Sequence, residues 1–448
     1  MHMQFLKIIS LLSLLSALIL LVSCGSYGVG TIPRGTPDHG NGTPAVLPRP
    51  GTDPQPVITA PPTVLSTSYA FISKNQLWIA LAGAKPEQVT EFDYGKATDI
   101  FWHQPAWSAG DHYIAFILNA QSAGLGGGGC PAPDYSANGA LYLLDVGTKQ
   151  LTQIVLPGTS SGTSAGSPYR DSWQYIFWQD STHFLAWYNG STRKTDKAAG
   201  LYRYDVTRKT LTQVLPLSSL AVATLFNVQQ GLPLLLSMRY SSGQLFYQVV
   251  VHPFEQHSQF VLYRHSLVHP EQPASKVVET GSGPWCTARQ NEPFEKPGWD
   301  VSIDGEQLVM QRTVADGSGQ AVGSIQVLDL RDEATTGLFT QLSPQVLGRD
   351  LMLTWGPDNQ TVVVAQDHLM SQDGPYTATL ADPTIMQQYT PNLAGQVTWR
   401  SDSSAFALQS ADPAGTVNTS AVAGVYVFVP GDSKGKLLLA DAENFAWG

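Results

Sequence analysis

Charge is what this sequence of 448 residues has least of: Asp, Glu, Lys and Arg together make up 13% of it, with a balance of −10. Ordinary globular domains draw about 25% of their residues from those four types, and a helix-rich enzyme would carry more Glu, Lys and Ala. No cluster of Lys and Arg occurs, so the electrostatic footprint of a nucleic-acid binder is missing and no nucleic-acid partner is expected. Cysteine is nearly absent, with 3 in all, too few for a disulfide scaffold. In their place stand 41 Gly and 30 Pro, a turn-rich composition that points to an all-β fold.

The N-terminus reads "MHMQFLKIISLLSLLSALILLVSCG", with Lys7 ahead of an apolar run over residues 8–22 and a small residue before Cys24. That run is short for a membrane span of about 20 residues, so a secretory signal is the better reading. The tetrapeptide "LVSC" ending at Cys24 resembles the bacterial lipobox. The resemblance implies a signal peptide over 1–23 and a lipidated Cys24. The protein would then be anchored to a bacterial cell membrane, facing the extracytoplasmic side. Residues 24–66 are rich in Pro, Gly and Thr and lack an apolar period, which makes them an extended linker.

Beyond residue 66 the sequence repeats. Leu141 opens "LYLLDVGTKQLTQIVLP" and Leu201 opens "LYRYDVTRKTLTQVLP", each a strand, a short turn and a second strand. Weaker copies begin at Leu77, Ile325, Tyr376 and Val425. A second kind of hairpin precedes most of them, as in "AWSAGDHYIAFI" from Ala106 and "TWGPDNQTVVVAQ" from Thr354. There a strand ends at Trp or Val, a tight turn contains Asp, and an apolar strand follows. Asp suits such turns because its carboxylate accepts from backbone N–H groups just downstream.

These hairpins resemble the "WSPDG"-type blades of TolB-like, WD-repeat-like β-propellers, at Trp107 with Asp111, Trp178 with Asp180, Asp304 with Gly305, Trp355 with Asp358, and Trp399 with Asp402. The resemblance implies a seven-bladed β-propeller of four-stranded antiparallel blades over residues 67–448. It extends to the propeller alone, because residues 25–66 cannot build the α/β domain that precedes it in TolB. Inner strands are expected to end near 107, 178, 226, 301, 355, 399 and 447. The first blade has three strands of its own, and the C-terminal "ENFAWG" is expected to supply the fourth and close the ring.

With strands A to D counted outward from the axis, the A–B and C–D turns are short, whereas the long segments fall in B–C and D–A connections. One face is therefore the expected binding face, for a protein or carbohydrate partner. Trp285, Phe294 and Trp299 are its candidate aromatic surface. Cys130 and Cys286 also fall in its loops, and secretion favours a disulfide between them if their Cα atoms come within about 7 Å. The "GTSAG" at 162–166 lies in a Ser/Gly loop and lacks the strand-to-helix setting of a nucleophile elbow. His252, His257, His265 and His269, with Glu255 and Glu271, fit no zinc spacing and read as scattered surface histidines.

The sequence thus leads to a membrane-anchored binding or scaffolding module, expected to be monomeric, with no catalytic residue, metal or cofactor assigned. The alternative is a propeller hydrolase or lyase acting on polysaccharide at the channel mouth. Replacing Cys24 by Ser should move the protein from the membrane fraction to the soluble one and abolish incorporation of an alkyne-tagged fatty acid. A variant that stays in the membrane fraction would refute lipidation at Cys24.

Overall fold

The computed structural model describes residues 65–448 apart from 96, 98, 122–138, 157–171, 191–197, 225–230, 254–257, 284–296, 316–320, 343–350, 367–374, 391–392, 394–395 and 411–422. These residues belong to one compact unit spanning 58–448. The strands group into seven antiparallel blades, and the one α-helix among the described residues is the four-residue Leu217–Leu220.

The inner strands are Glu443–Trp447 in blade 1, Asp99–Trp102 with Ala106–Trp107 in blade 2, and Trp173–Trp178 in blade 3. Blade 4 contributes Leu234–Ser241, blade 5 Trp299–Val301, blade 6 Leu351–Trp355 and blade 7 Val397–Trp399. Ring closure follows the expected plan. The strand Glu443–Trp447 pairs antiparallel with Tyr69–Ser73, setting Tyr69 opposite Trp447 and Ala70 opposite Ala446. The C-terminal strand thus completes the sheet made by Tyr69–Ser73, Gln76–Ala80 and Glu87–Gln88, and it covers the otherwise open edge of Tyr69–Ser73.

Blade 4 departs from the sequence expectation. Its inner strand is Leu234–Ser241 rather than a segment ending near 226, and "QLFYQVVV" from Gln244 is its second strand. The A–B turn there is Ser242–Gly243, both with positive φ (46° and 77°), a two-residue hairpin that needs no Asp. In blades 3, 6 and 7 the turn aspartates act as expected, whereas in blade 2 Asp111 takes left-handed backbone (φ 59°) and Ser108 Oγ accepts from Tyr113 N instead. Asp180 Oδ1 accepts from the backbone of Thr182 and His183, Asp358 Oδ1 from Gln360 and Thr361, and Asp402 Oδ1 from Ser404.

The cores lie between blades, and three inner-strand tryptophans fasten their blade to the previous one. Trp178 Nε1 donates to Ala106 O (2.8 Å), Trp299 Nε1 to Ser237 Oγ (2.9 Å) and Trp447 Nε1 to Thr398 O (3.2 Å). Phe445 and Trp447 are buried in the cluster that joins blades 7 and 1, with ring centroids 4.8 Å apart. The chain enters the ring beside the C–D turn of blade 1, where Gly83 N donates to Leu65 O (2.8 Å). That is the short-turn face, at the opposite end of the blades from Asn189, which follows the second strand of blade 3.

Truncating Phe445 to Ala removes a ring that is 4% exposed and should cost about 3–5 kcal/mol. The denaturant midpoint should fall at an unchanged slope, and deletion of 443–448 should add self-association from the exposed strand edge.

Candidate functional site

The inner strands of all seven blades surround an axial cavity of about 720 Å³. Regular inner strands would give it a uniform wall, but four of the seven are irregular. Pairing registers slip at Asn444 in blade 1, Tyr175 in blade 3 and Leu236 in blade 4, and 103–105 interrupt the inner strand of blade 2. Such bulges re-aim side chains that simple alternation would place elsewhere. Asn444 (φ 49°) and Tyr175 (φ 49°) both take left-handed backbone at the slip.

The bulge at Asn444 decides the direction of Glu443. Without it, Glu443 would share the face of Phe445 and Trp447, which is packed against blade 7. With it, Glu443 lines the cavity. Its carboxylate makes no hydrogen bond or ion pair with the described residues; the residue is exposed to the open cavity, and partial desolvation by the surrounding walls raises its pKa. As the first residue of an inner strand, it stands at the cavity end reached by the B–C and D–A connections.

The interruption in blade 2 carries Gln104 across the wall. Its Nε2 donates to Thr398 Oγ1 of blade 7 and to Phe445 O of the closing strand (2.8 Å), while its Oε1 accepts from Gln396 Nε2. This amide network ties blades 2, 7 and 1 together. On the other side, Arg239 Nε donates to Asp300 Oδ1 (3.1 Å) and its Nη1 to Met238 O (2.9 Å), with the guanidinium 5.6 Å from the centre of the Trp299 ring. Asp300 Oδ2 accepts from Trp355 N (2.9 Å). Burial pushes the Asp300 pKa up, opposed by Arg239 and the backbone donors. The pair links blades 4, 5 and 6, and neither charge is left over. Rings complete the walls: Phe101, Trp107, Tyr175, Phe177 and Trp447.

A second depression of about 520 Å³ lies on the short-turn face between blades 4 and 5. Its Arg331 is already paired with Glu306 (3.0 Å) and Asp329 (2.6 Å), so its charge is satisfied from within.

Of the residues singled out in the sequence, Cys24, Cys130, Cys286, Trp285 and Phe294 lie outside the described residues, as do 162–166, Glu255 and His257. Trp299 is described, and it is not part of an exposed aromatic surface. It is 4% exposed because it opens the inner strand of blade 5 and packs its indole against blade 4. His265 is also buried rather than on the surface, its Nε2 against Pro270 O (3.2 Å), and His269 sits 3.6 Å from Glu271. Among the described residues no group of three or more His, Cys, Asp or Glu is placed to hold a metal ion. Sequence reasoning missed Glu443, Gln104, Arg239 and Asp300 as cavity residues. Pro105 within "IFWHQPAW" and the one arginine in "LLLSMRYS" were the available signals.

Glu443 gives the site a pH signature. A carboxylate whose folded-state pKa is raised contributes stability that is fully present below the unfolded-state value and lost as pH rises through the folded-state value. The other titratable groups lining the cavity are Arg239, Asp300 and His103. Glu443→Gln should therefore be more stable than the parent protein at neutral pH, with the gap closing below about pH 4.3. Denaturant midpoints of both proteins across pH 3.5–7.5 check this, and a gap that grows on acidification would contradict it.

No protein-family model matches the chain, and no curated protein matches it in sequence. Among solved structures it is similar to TolB from Acinetobacter baumannii (11% identity, 86% of this chain and 67% of that chain, TM-score 0.38). It is also similar to an oligogalacturonate lyase from Vibrio parahaemolyticus (12%, 85% and 87%, TM-score 0.45). A third likeness is to the β-propeller domain of the Trilobed protease from Pyrococcus furiosus (8%, 75% and 84%, TM-score 0.43). The propeller fold of this chain rests on its own strand pairing: seven antiparallel blades, the first completed by the last strand.

Proposed function

We propose that this protein is a lipid-anchored, extracytoplasmic β-propeller of a bacterial envelope that works as a binding or scaffolding module for a protein or glycan partner. The axial cavity is the observation that supports this reading. Its volume of about 720 Å³ falls within the few hundred to 1,000 Å³ typical of ligand sites. Its walls are aromatic rings and amides, its one ion pair is internally satisfied, and its one free carboxylate has no acidic partner.

Topology gives the module a direction. The chain enters the ring at Leu65 on the short-turn face, so an anchor at Cys24 would hold that face toward the membrane. The B–C and D–A connections, and the cavity end that carries Glu443, would then face outward. Long connections on a rigid frame are the usual place for recognition.

One observation favours the second reading, a hydrolase or lyase acting on polysaccharide. Glu443 keeps its proton to higher pH than an ordinary glutamate and could serve as a general acid. Glycoside hydrolysis ordinarily takes two carboxyls across the scissile bond, and the other acid of the cavity, Asp300, is held by Arg239 and Trp355 N.

Affinity capture from an envelope extract with the purified protein, run beside a glycan array, tests the proposal. Retention of a protein or glycan that is recovered unchanged in size after incubation is the expected result. A glycan recovered shortened would carry the enzymatic reading instead, and no retained species in either format would overturn the binding module.

A further inference from the structure

The charges along the axial cavity do not cancel. Arg239 and Asp300 neutralise one another across 3.1 Å, and their remaining contacts are to Met238 O, the Trp299 ring and Trp355 N. His103 is the other basic side chain of the lining. Glu443 is left as a carboxylate with no donor among the described residues, set by a backbone bulge to open onto the cavity. Glu443 is exposed to the cavity, so its charge is within reach of a ligand of opposite sign. An anionic ligand would meet Glu443 and an arginine whose charge Asp300 already balances, so the sum of charges on the described lining disfavours that class.

The rings point the same way. Gln104 of blade 2 bonds to Phe445 O, which sets the levels of the two neighbouring inner strands. Three residues upstream of Gln104, Phe101 therefore stands at about the level of Glu443, two residues upstream of Phe445. Phe101 is 36% exposed and lines the cavity, an unusual state for a phenyl ring in the middle of a propeller. Aromatic faces attract cations through their quadrupole, and the attraction grows when the site is shielded from water.

We infer that the axial cavity receives a cationic group, an ammonium carried on an apolar stem, with Glu443 as its counter-charge and the exposed ring of Phe101 beside it. The inference rests on the reading of the protein as a binding module and names what that module takes at its centre. The ammonium could belong to a free amine or to a lysine side chain of a partner protein; the chemistry is the same. The apolar stem would lie along Phe177 and Met352.

Titration calorimetry with three isosteric probes tests this: n-butylammonium, 1-butanol and butyrate at pH 7.5. The purified protein should bind n-butylammonium about tenfold more tightly than either of the others. Glu443→Gln should lose that preference while keeping its fold, and Phe101→Ala should weaken n-butylammonium binding several-fold. A peptide with one internal lysine, with its Nε-acetyl form as control, separates the two sources. Tighter binding of the lysine peptide than of the free amine assigns the cation to a protein partner, and equal binding assigns it to a free amine. Equal affinity for butyrate and n-butylammonium, no binding of any probe, or an unchanged preference in Glu443→Gln would overturn the inference. If Glu443→Gln still captures the same envelope partner while losing nothing toward n-butylammonium, the binding module stands and only the cationic ligand falls.

Discussion

Each blade of this molecule buries its apolar faces against two neighbours, so the structure depends on the ring having no ends. The pairing of Tyr69 with Trp447 meets that condition. One strand joins residues from opposite ends of the propeller, and the rest of the frame is built around it. The indole of Trp447 reaches back to Thr398 O, and Phe445 O accepts from Gln104 and Thr398. Blades 7, 1 and 2 are thereby held at one seam by a ladder, an aromatic cluster and an amide network together. Water could fray an antiparallel pair of five residues, but here the same residues are also core.

The frame and the site draw on the same strands in different ways. Where an inner strand is regular, its side chains alternate between the clefts on either side and hold the blades together. Where it slips, as at Asn444, Tyr175 and 103–105, a side chain is released toward the axis. Regularity gives stability and irregularity gives chemistry, a division common to sheets that carry sites. The Arg239–Asp300 pair belongs to the first role although it lines the cavity, because its partners lie on blades 4, 5 and 6 and it leaves no net charge behind.

Much of the frame was legible in the sequence because it is periodic. The doubled "LYxxDV" hairpins, the Asp-containing turns and the closing "ENFAWG" all follow from alternation and turn chemistry, which act over a few residues. Blade 4 was misplaced because Ser242 and Gly243 make its turn without Asp and no tryptophan ends its inner strand. The site was illegible for the opposite reason. Glu443 faces the axis only because a bulge breaks the period that the reading relies on, and Arg239 meets Asp300 across 61 residues of sequence. Trp299 looked like a surface aromatic among its loop neighbours, but tertiary contact with Ser237 makes it core.

The position of Glu443 also sets a schedule. Every lining residue outside the closing strand is translated before it, since that strand follows the last blade in the chain. A nascent propeller with six inner strands but no closing strand has an open seam and, at its centre, an Arg239–Asp300 pair with no surplus charge. The final few residues bring the latch and the carboxylate together. Closure of the ring and the placing of the cavity's unpaired carboxylate therefore arrive in the same step, and a product lacking that strand would have neither.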